Sequence, residues 1–259
     1  GTAITSTDNK TFRDLKKITD GEWSRKNGLL AIAGKKIISD YISGRSTANY
    51  KMLLPDDYTE NDYDFDSVLT SFRERKSLFI LKKSLYNELN LAGGKIPLLI
   101  APFPEINIWD GSISDGCTPV IPFQDPVNVG ASVRSAVAFG VQQIILTSDA
   151  ANPFHPKSVR SSSGAVFEVE FVRGPGLDEI IQIAHSGGYE ILSLDKKGRS
   201  IYQVKFPERF ILVPGKEGQG LPQIYQKNSV SIPVSDKVES LNASVAFSVF
   251  LYEYNRKRN

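Results

Sequence analysis

The stretch PVIPFQDPVNVGASVRSAVAFGVQQIILT, residues 119–147, decides how the second half of this chain folds. It opens and closes on short apolar runs, 119–123 and 143–147, each of the length expected for a strand buried on both faces. Between them Pro126 rigidifies a turn, Asn128 stands where a helix cap belongs, and the Ala, Val and Phe residues at 131, 133, 136, 137, 138 and 139 read as the buried face of a helix. Strand, helix and strand in such close succession form a parallel crossover unit. The pattern continues through FEVEFV (167–172), YEILSL (189–194) and RFILVP (209–214), separated by helical stretches. The second half therefore reads as a parallel sheet with crossover helices, and in such sheets ligands sit beyond the carboxyl ends of the strands. The loops leaving those strands are where chemistry is sought.

Outward from this stretch, the first half shows a shorter α/β rhythm. A helix is expected from about Thr11, where Thr11 and Asp14 have the spacing of a capping box and Phe12, Leu15 and Ile18 share one face. Then come an apolar strand (29–34), a helix from Lys35 to Ile42 stopped by Gly44, a strand (51–55) and an acidic loop. A second round follows, with a helical stretch from Phe65 to Phe72, strand 77–81, a helix from Lys82 to Leu91, the break Gly93-Gly94, and strand 97–101. Periodicity is lost over 103–117, which collects Pro, Gly, Ser and Asp. This places a first domain at 1–105, a linker at 106–117 and a second domain at 118–259.

Composition bounds the function classes. The chain has 259 residues, 41% of them apolar and 23% charged, so it can bury a sizeable core and is not globally disordered. The single cysteine, Cys117, cannot close an intramolecular disulfide, and His155 and His185 are the only histidines, which disfavours a structural zinc site. There is no run of about 18 apolar residues and the N-terminus is polar, so a transmembrane span and a secretory leader are not expected and a cytoplasmic location is. Net charge is only +2, but residues 1–54 hold ten Lys or Arg against five acids, residues 55–66 add six acids, and the chain closes on Arg256, Lys257 and Arg258. Solvated helix faces explain most such runs; a polyanionic partner is the alternative.

Three loops collect polar residues. The first, 124–140, carries Arg134 inside an otherwise apolar helix, where it either pairs with an acid such as Asp125 or holds a phosphate or ribose. The second, PGKEGQGLP (214–222), has glycines at 215, 218 and 220, suited either to close backbone approach by a ligand or to a simple bend. It lacks GxxxxGK[ST] and GxGxxG, so a phosphate-cradling NTPase is disfavoured. The third runs from SVSIP (229–233) to a long helix beginning near Ser240 or Asn242, both residues suited to capping.

In this order the three segments resemble the signature motifs of the SpoU or TrmH family of SPOUT RNA 2'-O-ribose methyltransferases. The first matches as Asn128-x-Gly130-x-x-x-Arg134, the second as Gly215-x-Glu217-x-x-Gly220-Leu221, and the third as Ile232-Pro233 followed by Ser240-Leu241-Asn242-x-Ser244-Val245-Ala246. The resemblance covers 118–256. It implies a C-terminal α/β domain tied in a deep trefoil knot, a homodimer whose active site draws on both subunits, and S-adenosylmethionine as cofactor. By carry-over, the cofactor loops are those holding Leu212, Gly215, Ile232 and Leu241. Residues 1–105 resemble the L30e-like substrate-binding domain often joined to this unit, in α/β rhythm and position, which would make their basic stretch an RNA contact.

The implied reaction is attack of a ribose 2'-oxygen on a sulfonium methyl, with no metal needed because the leaving group departs as a neutral thioether. The family assigns activation of the hydroxyl to the motif-one arginine, here Arg134. A guanidinium pKa above about 12 makes literal base catalysis costly, so a milder role is to grip the neighbouring phosphate and 2'-hydroxyl while phosphate or water takes the proton. Asn128 is expected to orient Arg134, Glu217 to fix the second loop, and Ser240 and Asn242 to position ribose or cofactor. Ribosomal RNA is the expected substrate, with tRNA as the alternative and a silent RNA-binding protein of the same fold as the non-enzymatic one. A serine hydrolase is disfavoured by the absence of GxSxG and the scarcity of histidine.

Overall fold

The computed structural model describes residues 1–20, 28–89, 95–215 and 228–258. The first half runs β1 (Thr2–Ile4), α1 (Lys10–Thr19), β2 (Leu29–Ala33), α2 (Lys35–Ile42), β3 (Lys51–Pro55), α3 (Tyr63–Glu74), β4 (Leu78–Leu81), α4 (Lys83–Leu89) and β5 (Leu98–Pro102). The second runs β6 (Asn107–Ile108), β7 (Gly116–Ile121), α5 (Pro126–Ala138), β8 (Gln143–Leu146), α6 (Pro156–Ser161), β9 (Glu170–Arg173), α7 (Leu177–Ser186), β10 (Glu190–Ser200), β11 (Arg209–Val213), β12 (Ser229–Ser231) and α8 (Ala243–Arg258). The chain divides into two compact units, Gly1–Pro104 with Phe154–Gly164, and Glu105–Pro153 with Ala165–Asn259.

The first unit is built on a five-stranded sheet in the order β1-β4-β3-β5-β2, parallel across β1, β4 and β3 and antiparallel where β5 meets β3 and β2. Phe12, Leu15 and Ile18 lie on the buried face of α1 as their spacing predicts, in one cluster with Leu53, Leu81 and Tyr86. The cap of α1 is Asn9 rather than Thr11: the Thr11 N–H donates to Asn9 Oδ1 at 2.8 Å. The edge strand β1 carries no sequence signal, because only Ile4 of its three residues is buried. The segment 154–164 belongs to this unit, with Phe154 edge-on to Phe103. His155, which reads as a loop residue, caps α6 by accepting from the Lys157 N–H.

The acidic loop is locally satisfied. Asp62 caps α3 by accepting from the N–H groups of Asp64 and Phe65. Glu60, with a side chain only 7% exposed, pairs with Lys35 at 2.5 Å and accepts from the Tyr58 hydroxyl and from the N–H groups of Asn61 and Asp62. Burial works to raise its pKa, but the hydrogen bonds from Lys35, Tyr58 and the backbone win and bring it from 4.5 down to about 2.

The second unit is a seven-stranded sheet in the order β12-β10-β11-β7-β8-β9-β6, parallel at every pairing. Its central strand β7 is buried along its whole length, as an apolar run between two helix layers should be. Residues 106–117, expected as a linker, instead hold β6, which pairs with β9, and Trp109, which packs with Ile113, Val120 and Ile145 while its indole donates to the Ser112 carbonyl. Cys117, expected as a linker thiol, sits in β7 opposite Phe210, where burial pushes its pKa up. Strand β10 bulges: Leu194 and Arg199 both register with Val230, so the residues between them loop out. Gly198 in that loop crosses β12 so closely that a Cβ would stand 2.5 Å from Val230 N. The trefoil knot depends on the path of residues 216–227, which lie outside the described residues.

The low folded pKa of Glu60 stabilises the first unit fully above about pH 4.5 and ceases to do so as pH falls toward about 2. Glu60→Gln should therefore unfold at lower urea than the parent at pH 7, with the gap closing between pH 4.5 and 2. A gap that stays constant across that range would show the network is not an ionised one.

Candidate functional site

Parallel pairing brings the carboxyl ends of the strands to one edge of the second unit's sheet. Leu212 of β11 registers with Pro119 of β7 on one side and Leu192 of β10 on the other, and Leu194 registers with Val230 of β12. The loops leaving β7, β11 and β12 carry the three sequence motifs, so they open from the same edge.

The loop after β7 enters α5 through Asp125, whose side chain accepts from the Val127 N–H at 3.0 Å with Pro126 at the first helical position. Asp125 is thus a helix cap, and Asn128 lies inside the first turn instead of opening the helix. Asn128 is half-buried and Arg134 is exposed. Six residues apart on one helix, they are separated by about 9 Å along the axis and about 120° around it. That geometry sets them on different faces of α5.

Helix α8 packs against α5. The Ser135 and Ser248 hydroxyls meet at 2.6 Å, and the rings of Phe139 and Tyr252 are edge-to-face at 6.0 Å between centroids. Arg134 therefore sits one residue from the seam between the two motif helices. The start of α8 is held by Asn242, whose Oδ1 accepts from the Ser244 N–H at 2.9 Å, the Ser244 hydroxyl at 2.6 Å and the Val245 N–H at 3.4 Å. Capping, the simpler of the two readings of Asn242, is what its side chain does here. Ser240 is exposed in the approach to the helix, and Leu241 beside it is half-buried.

The remaining candidates divide by what they can offer. Leu212 is wholly buried in β11, so only its backbone can reach a ligand. Gly215 lies just past that strand with its missing side chain 3.2 Å from the Leu194 carbonyl, and Ile232 follows β12 directly and is half-buried. Glu217, with Gly218, Gly220 and Leu221, lies outside the described residues. One group on this edge escaped the sequence reading: Thr147, past the end of β8, donates its hydroxyl to Asp149 at 2.6 Å, and Gln124, past the end of β7, reaches the same carboxylate at 3.4 Å. The only signal for it was its place after an apolar strand. Among the described residues no group of three or more His, Cys, Asp or Glu is placed to hold a metal, and no helix is long and apolar enough to cross a membrane.

An all-parallel α/β sheet with its polar loops gathered at the carboxyl edge defines a ligand-binding domain of the α/β class. The sequence profile of the SpoU rRNA Methylase family matches residues 120–252, and the chain belongs to that family. It is 33% identical over 255 residues to the ribosomal RNA small subunit methyltransferase G 2 of Syntrophobacter fumaroxidans, covering 98% of this chain and 49% of that protein. It is 34% identical over 142 residues to the 23S rRNA (uridine(2479)-2'-O)-methyltransferase of Streptomyces viridochromogenes, covering 51% of this chain and 50% of that one. The chain spans about half the length of these relatives. The crystal structure of an AdoMet-bound rRNA methyltransferase from Sinorhizobium meliloti shares its fold with a TM-score of 0.78 at 20% identity, over 98% of this chain and 97% of that one.

Because Asn242 caps α8, Asn242→Ala should cost about 1–2 kcal/mol in urea unfolding, while Asn242→Asp should retain most of the stability. Equal losses in the two variants would remove the cap as the explanation.

Proposed function

We propose that this protein transfers a methyl group from S-adenosylmethionine to a ribose 2'-hydroxyl of RNA, with ribosomal RNA as the substrate class. The observation that carries the reading is the convergence of the three motif segments on one sheet edge, with α5 and α8 packed seam to seam beside Arg134. The relatives named as rRNA methyltransferases support the substrate class, and the Streptomyces relative supports the 2'-oxygen as acceptor. The same reading places the protein in the cytoplasm, with the first unit, whose sequence is rich in Lys and Arg, as the L30e-like contact for the RNA backbone.

The residues fit the cofactor. Gly215 leaves room against the Leu194 carbonyl that a side chain would fill, and the apolar Ile232, directly after β12, and Leu241, before α8, are half-buried. Leu212, Gly215, Ile232 and Leu241 would hold the adenosyl and methionyl parts through backbone groups and apolar contact. When bound, S-adenosylmethionine supplies an electrophilic methyl on a positively charged sulfur. Arg134 grips the phosphate next to the target ribose and orients the 2'-hydroxyl for in-line attack. With the cofactor bound, the 2'-oxygen would take the methyl carbon as the carbon–sulfur bond is given up, and the hydroxyl proton would pass to the phosphate or to water. Ser240 holds the ribose edge, Asn128 and Glu217 brace the first and second loops, and Asn242 fixes the start of α8.

The active form is a homodimer. Val245, Val249 and Tyr252 recur at helical spacing on α8 and are 47%, 36% and 55% exposed, with Val127 of the adjoining α5 exposed as well. A second copy of the chain covers this stripe and completes the site. Val249→Glu should shift the protein to monomer in light scattering and lower methyl transfer at least about tenfold. A monomeric parent protein with full activity would remove the dimer from the mechanism.

The decisive assay is transfer of labelled methyl to large-subunit rRNA, small-subunit rRNA and bulk tRNA in parallel, with mapping of the 2'-O-methyl product. Label in an rRNA and its loss in Arg134→Ala, with S-adenosylmethionine affinity within a few fold of the parent, is the expected result. Label in tRNA alone would move the substrate class. No label and no cofactor binding would leave a silent RNA-binding protein.

A further inference from the structure

The amino edge of the second unit's sheet, opposite the methyl-transfer edge, carries a groove of about 840 Å³. This is within the usual size of a small-molecule pocket. It runs along the start of β7 and β11, under the turn at 201–207 and the last turns of α8. Next to the lining residue Asp115, Gly116 has φ +83° and admits Tyr254 Oη to 2.8 Å from where a Cβ would stand.

The walls are cross-linked by side chains. The Lys257 ammonium donates to the carbonyls of Ile201, Tyr202 and Val204 at 3.2, 3.0 and 3.1 Å, which fastens the turn to the end of α8 and occupies all three of its donors, and it stands 3.6 Å from the Glu253 carboxylate. Phe206 stands edge-to-face on Tyr254 at 5.3 Å and on Phe250 at 5.4 Å. Two side chains on the rim are unspent. Lys205 has no hydrogen bond or ion pair among the described residues, and the guanidinium of Arg258 has no carboxylate partner among them: it donates to the neutral hydroxyl of Tyr254 at 3.2 Å and lies 5.9 Å from the centre of that ring. Beside them Tyr202 is 69% exposed and has no ring partner among the described residues.

The charge balance selects an anion. Of the cations lining it, Arg209 is engaged by Asp115 at 3.4 Å and Lys257 by Glu253 at 3.6 Å, which leaves Lys205 and Arg258 against one acid, Glu208. An uncovered aromatic ring flanked by cations without carboxylate partners is the arrangement that stacks a base and holds its phosphate. Lys257 cannot serve as the phosphate contact, since its donors are committed to the turn.

We propose that this groove is a second RNA contact, in which a single-stranded nucleotide stacks on Tyr202 and its phosphate is held by Lys205 and Arg258. The inference rests on RNA as the substrate, but it assigns to the amino edge a role in holding the RNA that the chemistry at the carboxyl edge does not require. RNA lying across both edges would be gripped at two points, so the groove governs affinity and leaves the methyl-transfer step unchanged.

The test is binding of a fluorescein-labelled single-stranded oligoribonucleotide by anisotropy across a salt series, with S-adenosylmethionine affinity by calorimetry as the control for folding. Lys205→Glu with Arg258→Glu should weaken oligonucleotide binding at least about tenfold and flatten the log Kd against log salt slope by about 1, with cofactor affinity unchanged. Tyr202→Ala should weaken binding about three- to tenfold with the slope unaltered, and it carries the test should the charge reversals unfold the protein. Parent-like affinity and slope in the reversal pair, or parent-like affinity in Tyr202→Ala, would overturn the proposal. The readout is independent of turnover: a parent protein that binds the oligonucleotide through this groove and methylates no RNA overturns the methyltransferase reading and leaves the groove in place.

Discussion

The pairing of β11 with β7, which sets Arg209 opposite Gly116 and Leu212 opposite Pro119, is the constraint from which the rest of the second unit follows. Because the two strands run the same way, the chain must cross a face of the sheet before it can pair again, and every loop that leaves a strand opens at the same edge. Repeated across seven strands, that rule separates the sheet into two edges of different character. At the carboxyl edge the motif loops converge around α5 and α8. At the amino edge the turn at 201–207 and the end of α8 close over a groove whose charge balance is cationic.

Helix ends do much of the local work. Asp125 and Asn242 each satisfy N–H groups that the first turn of a helix leaves open, and each therefore fixes the direction in which its helix departs from the sheet. The two helices then meet through the Ser135–Ser248 contact and the Phe139–Tyr252 pair. The result is that positions far apart in sequence, Arg134 and the residues around 240–242, are tied to one rigid seam. Lys257 does the equivalent at the other end of α8, using three carbonyls that would otherwise need water.

Much of this was legible in the sequence because it rests on periodicity. The strands at 143–146, 190–194 and 209–213 and the face Phe12, Leu15 and Ile18 stand where the pattern put them, since burial on two sides or on one leaves a mark that neighbours reinforce, whereas β7 begins and ends earlier than its apolar run and β9 starts only at Glu170, after a 3-10 turn at Ala165–Phe167. The departures occur where the pattern is too short to register. Strand β6 has two residues and β1 three, and both are held by pairing with a partner far along the chain. Cap identity was misread twice, at Asn9 for Thr11 and Asp125 for Asn128, because Asn, Asp and Thr compete within a few residues and only backbone direction decides among them. The motif residues were recognisable by kind and order, whereas the seam between α5 and α8 was not, because an isolated serine on a helix gives no sign of the partner it meets. Asp149 was passed over for the same reason.

The crossing at Gly198 has a kinetic side. Its peptide lies against the backbone of β12, and the strands that must be in place around it pair over long sequence separations, with β11 and β7 roughly ninety residues apart. Such contacts form only after large loops have closed, so the sheet assembles late and its edges stay open while it does. Strand β12, short and the last of the described strands, is the piece that finally covers one of them. The open edge of β10 is thus most exposed to aggregation in the interval before β12 has paired with it, which ties the yield of folded protein to how quickly that last pairing forms.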